Sequence, residues 1–122
     1  MTSYESVRVV DSQVVSGVTF TIAKMSFGRR LELMRQVREL ARRVEFLEAG
    51  EKPEDKMDAA LLQAEINRLF LKWGLRAVSG LHLDGEEATP QSLVDAGPED
   101  LFREALEEVR AETGLTEAER KN

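Results

Sequence analysis

Apolar residues change their spacing along this chain, and each change predicts a different element. Over residues 5–24, Val18, Phe20 and Ile22 fall on one side while Thr19 and Thr21 fall on the other. That two-residue period belongs to strands. Val7, Val9, Val14 and Val15 form an earlier β-rich run. Asp11-Ser12 and Ser16-Gly17 both have turn chemistry, so the pattern predicts a β-hairpin or two short strands with the register open. Two strands alone are marginal in water, so this face must pack on something else.

From Leu33 the steps become four and three, through Val37, Leu40, Val44 and Leu47. This predicts a helix over residues 27–49, capped by Ser26 and closed by Gly50. A charged connector around Pro53 leads to a second helix, from Glu54 or Lys56 to Val78. It carries two stripes, one of Met57, Leu61, Ala64, Leu71 and Leu75, the other of Leu62, Ile66, Leu69 and Trp73. Two long helices with a short connector pack antiparallel. The second has more apolar width than a surface helix needs, which predicts a third layer or a partner chain against it. Gly74 costs about 1 kcal/mol relative to alanine in a helix, so it marks a kink or a close approach.

Gly80-Leu-His-Leu-Asp-Gly85 reads as a short strand entering an Asp-Gly turn. Thr89-Pro90 opens a short helix through Val94 that ends at Gly97. Pro98 opens another, with Glu99 and Asp100 on its N-terminal dipole and a stripe of Leu101, Phe102, Ala105, Leu106 and Val109 before Thr113-Gly114. Thr116 and Glu119 have capping-box spacing for one last turn. The expected fold is α+β and mostly α-helical, in a single domain. Residues 1–25 form the β-hairpin, 26–79 the helical hairpin and 80–122 an acidic helical C-terminal part.

Charge sharpens this division. The net charge is −6, yet residues 26–49 carry +2 and residues 80–122 carry −8. Such acidity argues against a general nucleic-acid binder, which needs a dominant positive field. It suits a soluble protein that steers a basic partner. The absence of cysteine excludes disulfides and thiolate chemistry, and a single histidine, His82, excludes zinc sites that need two imidazoles. No run reaches the roughly 20 apolar residues of a membrane span, and the N-terminus lacks a signal-peptide core. The expectation is a soluble, cytoplasmic protein without membrane contact.

The chemistry-bearing residues mostly have plain structural readings. His82, between Leu81 and Leu83, is a candidate base or pH-sensitive contact, but a half-exposed strand position accounts for it. The acids Asp84, Glu86, Glu87, Glu99 and Asp100 fit neither a calcium loop nor a legible carboxylate pair, and serve turns and caps instead. No phosphate-cradling glycine pattern occurs. No catalytic residue, metal ligand or cofactor site emerges. Arg35, Arg38 and Arg42 share one helical face at i, i+3, i+7 and could clamp carboxylates or phosphates. They equally fill a solvated face balanced by Glu32, Glu39, Glu45 and Glu48, or meet the acidic C-terminal part within the chain. Trp73, the sole tryptophan, has Phe70 one turn before it. The pair belongs to the core, or anchors a partner where it is partly exposed.

Several stretches together carry a resemblance. They are the N-terminal strand pair followed by Ser26-Phe-Gly-Arg-Arg-Leu-Glu-Leu33, then Trp73-Gly-Leu75, Gly80-Leu-His-Leu-Asp-Gly85, Gly97-Pro-Glu-Asp-Leu101 and the ending Leu115-Thr-Glu-Ala-Glu-Arg-Lys-Asn122. In this order the chain resembles the tail assembly chaperones of bacteriophages and prophages. The resemblance implies a non-enzymatic, cofactor-free protein of the bacterial host cytoplasm that binds tape-measure or tail-tube protein during tail morphogenesis. An over-wide apolar helix face would suit helix-in-groove binding, and a second copy of the chain is a further candidate partner. The contact residues expected on this reading are Phe70 and Trp73 as apolar anchors, with Arg35, Arg38 and Arg42 as ionic contacts. The alternatives are a structural head–tail connector or tail-completion component, or a small helical regulator that binds nucleic acid through the arginine face.

Overall fold

The structure is a computed structural model that describes residues 1–114. Strand β1 (Val7–Asp11) pairs antiparallel with β2 (Thr19–Ala23), so that Val7 faces Ala23 and Asp11 faces Thr19. The alternation in β2 does what its spacing requires: Phe20 and Ile22 are buried, while Thr19 and Thr21 stay half-buried on the opposite face. Ser12 holds the turn region, its hydroxyl accepting from the N–H groups of Val14 and Val15.

Helix α1 (Phe27–Glu48) opens at Ser26, whose hydroxyl accepts from the Arg29 N–H, as an N-cap should. Helix α2 (Pro53–Gly74) has proline in its first turn and runs back along α1, burying Ala59, Ile66, Phe70 and Trp73 among other residues. The two helices form the expected hairpin. Leu33, Val37 and Val44 are the buried positions of α1.

The second helix stops short of the expected boundary at Val78. It ends at Gly74, and Leu75–Ser79 becomes strand β3, completing a three-stranded sheet in the order β1-β2-β3. Phe20 faces Val78 and Thr21 faces Ala77, but Ile22 faces Leu75, so the pairing skips Arg76. This irregularity explains the misleading pattern. A bulge resets the in–out alternation, so Leu75 and Val78 both point into the core although they are three residues apart. Three is also a helical spacing. Gly74 sits at the joint because α4 comes close there. A Cβ at this position would lie 2.5 Å from Val109 Cγ1. The close approach expected of this glycine is real, and it coincides with the helix end.

A two-residue hairpin follows, β4 (His82–Leu83) with β5 (Glu86–Glu87). Its turn residues Asp84 and Gly85 both have positive φ, at 53° and 84°, the conformation that favours Asp-Gly between short strands. Thr89 and Ser92 form a reciprocal capping box at the start of α3 (Pro90–Ala96). Helix α4 (Glu99–Thr113) buries Leu101, Ala105, Leu106 and Val109 and ends on Gly114 in the left-handed conformation. The capping-box pair Thr116 and Glu119 lies outside the described residues. One buried cluster joins β2, α1, α2, β3, α3 and α4. The architecture is thus α+β with helices predominant.

The acidic C-terminal part does fold back, and onto the strands. Along one side of α4, Glu104 accepts from the Ser12 hydroxyl at 2.5 Å and the Gln13 N–H at 2.7 Å. Glu108 and Glu112 both take Arg8, with the Arg8 Nε to Glu112 Oε1 distance at 2.8 Å. Glu112 also accepts from the Met25 N–H. Burial pushes the Glu112 carboxyl up, but the hydrogen bonds from Arg8 and Met25 outweigh it and hold the group below the usual glutamate range. A group lowered by folding stabilises the fold above its unfolded pKa, and that contribution disappears as pH falls through the folded value. Acidification from neutrality to about pH 3 should therefore remove part of the stability. Glu112→Gln should be less stable than the parent at neutral pH. The gap should narrow on acidification when unfolding is followed by urea titration at each pH, and a gap that stays constant would contradict this role.

Candidate functional site

A groove of about 820 Å³ runs along one side of the α1–α2 seam. Its α1 wall comes from Ser26, Gly28, Arg29, Glu32, Gln36 and Leu40, and its α2 wall from Glu65, Arg68, Leu69, Lys72 and Trp73, with Arg76 of β3 at one end. The helical period places both sets. Arg29, Glu32, Gln36 and Leu40 follow one another by threes and fours, as do Glu65, Arg68 or Leu69, and Lys72 or Trp73. Leu40, Leu69 and Trp73 give the groove apolar surface, and four cations against two glutamates give it positive charge in an acidic chain.

Little of that charge is neutralised locally. Arg68 approaches Glu65 at 3.7 Å, but both side chains are about half exposed and such a pair contributes little. Glu32 accepts from the Gln36 amide. Among the described residues, the side chains of Arg29, Lys72 and Arg76 form no ion pair. Trp73 is only 8 % exposed, and its buried indole Nε1–H has no acceptor among the described residues. A buried donor left in this state typically costs about 1–3 kcal/mol, and in a native fold it calls for a reason.

The expected contact residues divide between three environments. Phe70 is 1 % exposed and lies in the core, with the Arg110 guanidinium 4.7 Å above its ring, so it presents no surface to a partner. Asn67 holds that guanidinium through a hydrogen bond of 2.5 Å. Trp73 borders the groove. Arg35, Arg38 and Arg42 are exposed on the outer face of α1 and line no part of the groove. The structure therefore brings Trp73 together with Arg29, Arg68, Lys72 and Arg76 instead. Helical spacing could have linked Arg68 and Lys72, whereas Arg76 reaches the groove from β3, past the end of α2.

Apolar residues on the outer face of α1 were also missed. Phe27 and Phe46 are 80 % and 79 % exposed, and Leu31 is exposed with them. At 3.6 residues per turn, Leu31, Arg35, Arg38, Arg42 and Phe46 share one face. The signal was present in the sequence, since these apolar positions are out of phase with the Leu33 stripe. Met57 and Leu61 are likewise exposed on α2.

His82 is exposed opposite Glu87 in the small hairpin. Asp84 serves the turn there, Glu99 pairs with Arg103 and Asp100 accepts from the Leu101 N–H. No three of the described His, Asp and Glu residues converge as metal ligands, and no described helix is long and apolar enough to cross a membrane. Comparison with protein-family models, with curated proteins and with solved structures found no match.

Proposed function

We propose that this protein is a non-enzymatic binding factor of the phage tail assembly chaperone kind, which holds tape-measure or tail-tube protein in the host cytoplasm during tail morphogenesis. One observation carries the reading. Two of the stretches that resemble such chaperones, Ser26 to Leu33 and Trp73 to Leu75, meet at the same groove. Ser26, Gly28, Arg29 and Glu32 come from the first and Trp73 from the second. A groove between two helices with an apolar bed and a charged rim suits a helical segment of another protein. The exposed Phe27, Leu31 and Phe46 on the outer face of α1 supply further apolar surface for a large client.

A chaperone leaves its client before the particle is complete. Immunoblotting of purified particles should find tape-measure and tube proteins without this chain. Its stoichiometric presence there would replace the proposal with a structural head–tail role.

A further inference from the structure

We infer that the groove along α1 and α2 takes an amphipathic helix bearing a row of carboxylates, supplied by the partner protein. The inference rests on the binding role proposed above and names the chemistry of what binds.

Length comes first. From Gly28 to Leu40 the groove follows α1 for about 18 Å at 1.5 Å per residue, enough for roughly three turns of a helix laid alongside. Charge spacing follows. Arg68 and Lys72 lie one turn apart on the α2 wall, Arg29 stands on the α1 wall, and Arg76 of β3 closes one end. Carboxylates at i, i+4 and i+7 share one face of an incoming helix and can meet these cations with charge-assisted hydrogen bonds. The bed of Leu40, Leu69 and Trp73 receives the apolar side of that helix.

Nucleic acid fits these features less well. Its phosphates would also meet the −6 charge of the whole chain, and Glu32 and Glu65 stand inside the groove itself. A helix can place uncharged residues opposite those two glutamates, whereas a continuous phosphate backbone cannot avoid them.

The sole tryptophan reports on the groove directly. The probe is a synthetic helical peptide without aromatic residues, with glutamates at i, i+4 and i+7 beside a leucine row. Its counterpart has glutamine in place of each glutamate. Titration of the acidic peptide into the full chain at low salt should shift Trp73 emission and saturate. The glutamine peptide, and the Lys72→Glu/Arg76→Glu variant of the protein, should each bind at least ten-fold more weakly. Both substituted positions are exposed, and circular dichroism checks that the variant keeps its helices.

Absence of binding by the acidic peptide would overturn the inference, as would equal binding of the two peptides or an unchanged affinity in the variant. A single-stranded oligonucleotide that displaced the peptide and bound more tightly would also overturn it. The two readings fail separately. Peptide binding without recovery of any tail protein from cells would leave the groove chemistry standing and remove the tail-assembly role. Recovery of tail protein undiminished by Lys72→Glu/Arg76→Glu would do the reverse.

Discussion

Gly80→Ala is expected to destabilise the fold by about 3 kcal/mol or more, the larger of two backbone effects that can be compared directly. Gly80 follows β3 with φ at +80°, and a Cβ there would lie 2.0 Å from the Gly17 carbonyl oxygen. The obstacle is backbone, so it cannot swing aside as a side-chain tip could. Relief requires the end of β3 to separate from the β1–β2 connection, which loosens the pairing of Thr19 with Ser79. Gly17 provides the control. Its φ is +88°, but nothing lies within 4 Å of a Cβ built on it. Gly17→Ala should therefore carry only the left-handed penalty, about 1–2 kcal/mol. Urea unfolding of both variants measures the difference. Equal losses would mean that the Gly80–Gly17 approach does not constrain the fold.

Phe70→Ala is expected to cost about 3–5 kcal/mol, the range for truncating a fully buried aromatic residue. The ring lies between the hairpin core and α4, and its removal also takes the surface from beneath the Arg110 guanidinium. Phe46→Ala, at an exposed position on α1, should stay within about 0.5 kcal/mol of the parent. The pair separates two kinds of apolar residue that sequence composition treats alike. A tolerated Phe70→Ala change, with a large loss at Phe46, would contradict the assignment of core and surface.

The elements legible in the sequence were those whose signals are local. The Ser26 cap, the α1 stripe, the Asp84-Gly85 turn, the Thr89-Pro90 start and the Gly114 stop each depend on a few neighbouring residues, and each is present. The third strand was not legible. Its pairing partner lies more than fifty residues away in β2, and its bulge gives Leu75 and Val78 a helical separation. Tertiary pairing won over local spacing there. The same limit governed the groove. Trp73 and the arginines of α1 were visible as residue types, but the rotation of one helix against the other decides which arginines face the tryptophan. That rotation placed Arg29 at the groove and left Arg35, Arg38 and Arg42 outside it. The fate of the acidic part was also a matter of packing, since Glu104, Glu108 and Glu112 repeat every four residues and so present one charged edge to Ser12 and Arg8.

These findings give the molecule a division of labour. The sheet, α3 and α4 close on the C-terminal half of α2 and fix it through Gly74, Phe70 and the Arg110–Asn67 bond. The helical hairpin then presents a cationic groove on one side and exposed apolar residues on the outer face of α1. The groove wall supplied by α2 belongs to the part of the chain that the rest of the fold holds in place, and α1 packs along it.

The most direct test of the proposed role is affinity capture of the tagged full chain from cells that also express phage tape-measure and tail-tube proteins, with mass spectrometry of the recovered proteins. If the proposed role is right, the long tape-measure protein or the tail-tube subunit should be recovered, and less of it with Lys72→Glu/Arg76→Glu. Recovery of nucleic acid with no tail protein would contradict it.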